Sequence, residues 1–203
     1  LLDAGKRVAY IDIDAHHGDG VEAAYFETDK VLTVSIHESG RYLFPGTGFS
    51  KDIGSGKGEG YSVNLPLPPG ADDYVFCSAF DAIVTKCIEA FRPDVLVTQL
   101  GVDTLASDPV THLMLTTNGF EYMVKSFSEM DLPWIALGGG GYDMDNVKRA
   151  WTLAWAIMAE ASVPDHIRDP EITPDKKSHE MFSSITADID YLLTKVIPLI
   201  KTS

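Results

Sequence analysis

Apolar residues along the chain fall into short runs and longer periodic stretches, and their alternation predicts a fold class. Residues 8–13 form a short β-rich run and 31–36 repeat the type, with a helical stretch at 21–26 between them. Together they read as a βαβ unit. Residues 41–60 are rich in glycine, carry one proline and show no periodicity. That composition predicts a long surface loop, and loops of this length usually carry function or motion. A strand follows at 61–65. From 73 to 91, Phe76, Phe80, Ile83, Val84, Cys87 and Ile88 recur at three- and four-residue steps, the pattern of an amphipathic helix. A buried strand at 94–100, a helix over 118–130, a strand at 134–137, four glycines at 138–141 and a helix over 146–160 complete the series. Strands alternate with helices throughout, which predicts an α/β fold with a mostly parallel sheet covered by helices on both faces. After Pro164 the chain turns polar, and a last amphipathic stretch at 181–197 is expected to pack back as a terminal helix.

Composition narrows the function classes. The 203 residues suit one α/β domain, with 45% hydrophobic and 23% charged residues, the proportions of a globular protein. Sixteen basic against 30 acidic side chains give a net charge of −14, which repels a phosphate backbone and argues against a nucleic-acid partner. No window is apolar enough for a membrane span and no secretory signal opens the chain, so a cytoplasmic protein is expected. Cys77 and Cys87 lie ten residues apart on one predicted helix and read as reduced, buried thiols. The first residues, Leu1 to Ala4, look like a helix end running at once into a buried strand, as if a domain had been cut.

In parallel α/β sheets ligands sit beyond the carboxyl ends of the strands. Three predicted strands end in polar or glycine-rich segments there. The first runs into Asp12, Asp14 and His16, which alternate and so point to one side of an extended chain. Another leads through Leu100-Gly101-Val102 to Asp103, and the last ends in Gly138 to Gly141 followed by Tyr142. Two carboxylates and an imidazole with one open position are the donor set of a catalytic zinc site, and such a set also accepts Fe(II). A metal held so would polarise a carbonyl and make a nucleophile of water at neutral pH, chemistry suited to amide hydrolysis.

Five motifs in order carry a resemblance: Asp12-Ile13-Asp14-Ala15-His16-His17-Gly18-Asp19-Gly20-Val21-Glu22, Phe44-Pro45-Gly46-Thr47-Gly48, Gly56-Lys57-Gly58, Gln99-Leu100-Gly101-Val102-Asp103 with Asp108-Pro109, and Leu137-Gly138-Gly139-Gly140-Gly141-Tyr142. Over residues 8–160 the chain resembles the histone deacetylase superfamily, closest to class I enzymes and the bacterial acetoin-utilisation type. The resemblance implies an arginase/deacetylase-like fold, with residues 1–203 the C-terminal part of a single deacetylase domain and 161–203 an extension ending in a helix. It implies zinc on Asp14, His16 and Asp103, and Tyr142 as the oxyanion-stabilising hydroxyl. Phe44 would form one wall of the acyl-lysine tunnel, with Gly140 and Gly141 close to the substrate. Asp12 and Asp19 would each orient a catalytic histidine. Potassium or sodium would bind behind the zinc, at backbone oxygens of Asp12, Asp14, His16 and Ile36 with the Ser35 hydroxyl, and at carbonyls near Tyr25, Thr28, Val31 and Tyr61. The implied substrate is acetyl-lysine in a protein or peptide, or a small acetylated amine.

The family's paired catalytic histidines would lie upstream of these residues, so His17 reads as a structural neighbour of His16 rather than the general base, and this chain alone is expected to be inactive or nearly so and poorly soluble. His37 and His112 read as hydrogen-bonded or exposed. Two rival readings remain. An arginase-like binuclear manganese hydrolase shares the Asp14-Ala15-His16 start, but it needs acids where Gly18 and Leu105 stand. A deacetylase-like module that binds zinc and an acylated ligand without turnover is the non-enzymatic alternative, against which Tyr142 weighs.

Overall fold

The computed structural model describes residues 1–201. Its centre is a five-stranded sheet of β1 (Val8–Asp12), β2 (Val31–Glu38), β3 (Ser62–Leu67), β4 (Val95–Gln99) and β5 (Trp134–Leu137). The order is β3-β2-β1-β4-β5 and every pairing is parallel. The helices are α1 (Asp19–Tyr25), α2 (Asp73–Phe91), α3 (Thr117–Ser128), α4 (Met144–Met158) and α5 (Lys176–Tyr191). This is the expected α/β class, and α2 and β5 coincide with the predicted spans.

Strand alternation divides the sheet into two unlike faces. On one, Ala9, Ile11, Leu32, Val34, Ile36, Val63, Leu65 and Leu96 are fully or almost fully buried. They pack under α2, whose Phe76, Phe80, Ile83, Val84, Cys87 and Phe91 form the facing stripe. The helix is 19 residues long because Asp72 caps its start, accepting from Val75 N, and Arg92 closes it in the left-handed region at φ 50°. α3 and α5 flank α2, and α4 packs on α3. The opposite face carries α1 and the long loop after β2. Over β1, β4, β5 and the start of β2 it leaves a mainly apolar concavity of about 530 Å³ lined by Leu1, Leu2, Asp3, Val8, Tyr10, Val21, Tyr25, Val31, Val97 and Leu137. Ile135 and Leu137 of the outer strand β5 are each 43% exposed.

Two element readings shift. The terminal helix begins at Lys176, five residues before the periodic apolar stretch, because Asp175 and Ser178 form a reciprocal capping box. It then passes through a π turn at Leu192–Val196 instead of continuing regularly to 197. Both cysteines lie on α2 and are free, but only Cys87 is buried; Cys77 is half-buried.

Candidate metal centre

β1 delivers the first two groups. The chain keeps its pairing past Asp12, since Ile13 N donates to the Gln99 carbonyl at 3.1 Å, and the extended steps bring Asp14 and His16 to one side. Asp103 arrives from β4 through Leu100-Gly101-Val102, where Val102 N donates to the Gly140 carbonyl at 2.7 Å. One ligand atom from each of Asp14, His16 and Asp103 lies within 4.8 Å of the others. His16 Nδ1 stands 3.1 Å from Asp14 Oδ1 and 2.9 Å from Asp103 Oδ2.

Backbone amides hold the carboxylates in place. Asp103 Oδ1 accepts from Ala15 N at 2.9 Å, Asp14 Oδ1 from His16 N at 2.9 Å, and Asp14 Oδ2 from Gly140 N at 2.6 Å. Asp12, behind them, accepts from Asp14 N at 3.0 Å and from the Tyr10 hydroxyl at 3.0 Å.

The electrostatics favour a cation here. Hydrogen bonds donated to Asp103 and then to Asp14 push the His16 imidazole up to about 10. Burial raises Asp103, while at Asp14 burial is outweighed by the bonds from His16 and Gly140, which hold it below the ordinary carboxylate range. Burial and the neighbouring Asp14 push Asp12 up to about 8. Two buried carboxylates around one imidazole thus bind either a proton on that ring or a metal ion that displaces it.

The residues fit a metal on steric grounds too. The glycine run after β5 lies flat against the triad. A Cβ on Gly139 would fall 2.6 Å from Gly101 Cα and 2.8 Å from Asp14 Oδ2, and one on Gly140 would fall 2.1 Å from Asp103 Oδ2. Sequence reasoning gave these glycines a close approach to substrate; the approach visible here is to the acidic groups themselves.

Tyr142, next along, is 53% exposed. Its backbone N–H donates to Asp108 Oδ2 at 2.8 Å. Its phenol is raised by burial and then by the charges of Asp103 and Asp14, which puts it within electrostatic reach of the triad. Phe44 is 78% exposed on the loop after β2. That loop is pinned by two histidines: His17 Nδ1 pairs with Thr47 Oγ1 at 2.8 Å, and His37 Nε2 donates to the Gly48 carbonyl at 2.9 Å. His17 Nε2 faces Glu22 Oε2 at 3.4 Å without hydrogen-bond alignment.

The remaining predicted groups are spread around this centre. Asp19 is exposed in the first turn of α1. Ser35 pairs laterally with Asp12 across β1 and β2, and its hydroxyl bonds His37 Nδ1 at 2.8 Å. Ile36, the next residue along β2, is fully buried. Tyr25 and Tyr61 carbonyls accept from Thr28 N and Thr33 N, and Val31 opens β2. His112 pairs its Nδ1 with Glu38 Oε1 at 2.7 Å. Sequence reasoning passed over Glu38, a fully buried carboxylate that also accepts from His112 N at 2.8 Å; an acid ending an apolar strand run was its one visible sign.

Two carboxylates and an imidazole at the carboxyl ends of its strands, beside a glycine run and a tyrosine, make this an open-sheet α/β protein with a candidate metal centre. The chain belongs to the histone deacetylase family: the histone deacetylase domain matches residues 2–158. It is 43% identical to probable histone deacetylase 1-B of Xenopus laevis and 43% identical to histone deacetylase 1 of Homo sapiens, in each case over 92% of this chain and 39% of that protein. It is 44% identical to histone deacetylase 9 of Arabidopsis thaliana over 82% of this chain and 39% of that protein. The chain therefore spans about two fifths of the length of these relatives. Among the described residues no helix is long and apolar enough to cross a membrane.

Proposed function

We propose that this chain supplies the metal-holding part of a zinc-dependent deacetylase that hydrolyses an acetyl-lysine-type amide. The observation that carries the reading is the convergence of Asp14, His16 and Asp103 from two strand ends, in a family whose relatives are named for histone deacetylation. Asp14, His16 and Asp103 would hold the zinc, which when bound polarises the substrate carbonyl and makes water more acidic. Tyr142 donates its hydroxyl hydrogen to the carbonyl oxygen as negative charge develops there. Phe44, exposed on the loop after β2, offers an apolar surface to the alkyl stem of the acylated lysine, and Gly140 and Gly141 let the chain pass close to that stem. A potassium or sodium ion behind the triad, at Asp12, Asp14, His16, Ser35 and Ile36, would offset the buried acidic charge, with a second near Tyr25, Thr28, Val31 and Tyr61.

The general acid and base come from residues beyond these 203, oriented by Asp12 and Asp19. What supports this is the commitment of the other histidines. His17 is turned to Thr47, His37 to Ser35 and Gly48, and His112 to Glu38. His166 sits in a short turn of the C-terminal stretch, and His179 packs edge-on against Tyr74.

The test is metal content and turnover together, on the chain alone and joined to the remainder of a family domain. One zinc per chain, lost on His16→Ala, with deacetylation of an acetyl-lysine peptide only in the joined form, is the expected result. Two manganese ions per chain, or zinc binding indifferent to Asp14 and His16, would overturn it. Comparison of acetyl-peptide with acetylpolyamine then assigns the substrate class.

A further inference from the structure

The loop that follows β4 serves both walls of the site. Its first acid, Asp103, belongs to the triad; its second, Asp108, is buried and reaches the tyrosine side. Asp108 Oδ1 accepts from Val110 N at 2.9 Å and Oδ2 accepts from Tyr142 N at 2.8 Å. Around the same corner Ser107 Oγ donates to Asp143 Oδ2 at 2.7 Å, and the buried Asn146 donates its side-chain N–H to Ser107 Oγ at 2.8 Å. Further along, the Thr111 hydroxyl donates to the Asp103 carbonyl.

Tyr142 needs such a hold. It follows four glycines, the last with φ 150°, a conformation open to glycine and little restrained by the backbone itself. Left to its own chain, the residue would sample a broad arc past the triad.

We propose that Asp108 is a positioning residue: by accepting one amide on each carboxylate oxygen, it ties Tyr142 to the loop that carries Asp103 and so fixes where Tyr142 stands relative to Asp14, His16 and Asp103. A carboxylate suits the task because it presents two acceptors on one planar group, whereas an asparagine would turn an N–H donor towards one of the two amides. The inference rests on the reading of Asp14, His16 and Asp103 as a metal centre with Tyr142 beside it.

The experiment labels the protein with 3-fluorotyrosine and ¹⁵N, loads it with Co²⁺ and follows two signals by NMR. One is the paramagnetic perturbation of the Tyr142 fluorine, assigned by its loss in Tyr142→Phe; the other is hydrogen exchange of the Tyr142 amide. In Asp108→Ala the amide should exchange at least ~10-fold faster, as for a lost buried hydrogen bond. The cobalt effect on the fluorine should weaken or split while Co²⁺ uptake stays the same. Asp108→Asn, close to isosteric and so expected to fold, should show the same changes to a smaller degree. Amide exchange and fluorine signal unchanged in both variants would overturn the proposal. If Co²⁺ leaves the wild-type fluorine untouched, the metal-centre reading fails separately. The exchange ratio then still decides the clamp: a ratio near ten supports it, and a ratio near one overturns it.

Discussion

A Cβ on Gly140 would stand 2.1 Å from Asp103 Oδ2 and 3.1 Å from Asp14 Oδ2, whereas one on Gly20, in the first turn of α1, would meet nothing within 4 Å. The two glycines look alike in sequence and differ entirely in consequence. Gly140→Ala should push the carboxylates apart and weaken metal binding ~10- to 100-fold, the range for losing a group that orients a ligand. Gly20→Ala should leave binding unchanged and stabilise the fold by up to ~1 kcal/mol through helix propensity. Chelator competition and urea melts on the two variants check this, and equal metal affinities would contradict it. Tyr142→Phe keeps the ring and removes only the hydroxyl, so kcat of the joined, zinc-loaded enzyme should fall ~10²- to 10³-fold with KM and metal content little changed. A loss carried by KM instead would make Tyr142 a binding residue. At this scale Asp14, His16 and Asp103 were legible because alternation and strand ends place them. His17 was set apart from His16 by the resemblance alone; in the structure one ring faces the triad and the other Thr47. Asp108 was visible as part of a motif, but its role was not. The hydrogen bond from Tyr142 N joins residues 34 apart, and nothing local signals it.

Among the elements, periodicity located α2 to the residue because one apolar stripe faces one sheet. The stretch from Pro164 to the cap of α5 carries no such stripe and was read only as polar. It is held by charge instead. Arg168 grips Glu121 of α3 with two bonds, at 2.7 and 2.9 Å, and Lys125 adds a third at 2.8 Å. Asp169, beside it, pairs with Arg149 of α4 and accepts from Thr117 N at 2.9 Å. The partners of Arg168 and Asp169 lie 20 to 52 residues away in sequence, which is why no window could show them. The Arg168 bonds, outweighing the opposing effect of burial, hold Glu121 down to about 2, from an ordinary value of 4.5. The folded chain therefore binds fewer protons than the unfolded chain between those values. The stabilisation is complete above about pH 4.5 and is lost as pH falls through the window towards 2. It amounts to at most ~3 kcal/mol, less the screening felt by the half-exposed Arg168 and Lys125. Urea midpoints for wild type and Glu121→Gln should differ clearly at pH 7, draw together as pH falls below about 4.5, and converge only as it approaches 2. A gap independent of pH would mean that packing, not charge, holds this stretch.

Across the whole molecule, the parallel sheet was predictable, whereas the particular residues that one of its faces leaves open were not. β1 reads Val-Ala-Tyr-Ile-Asp, apolar at both parities, which is the signature of a strand buried on both faces. The structure buries Ala9 and Ile11 under α2, while Val8 and Tyr10 line the concavity on the other side beside Val97 and Leu137. That face, continued by the exposed Ile135 and Leu137 of β5, is an apolar surface next to a sheet edge, the feature that pairs chains with one another. The net charge of −14 opposes such pairing over a distance set by salt, about 10 Å at 0.1 M and about 3 Å at 1 M. The 203-residue chain should therefore self-associate more as salt rises, the reverse of an association driven by ion pairs. Ile135→Lys, which puts a charge on the exposed side of the edge strand, should weaken that association without touching the metal ligands. Sedimentation velocity at low and high salt, with a hydrophobic dye titrated alongside, measures both effects. A monomer at every salt concentration with no dye uptake would show that this face is closed in solution, and with it the apolar concavity that β1 and β5 present here.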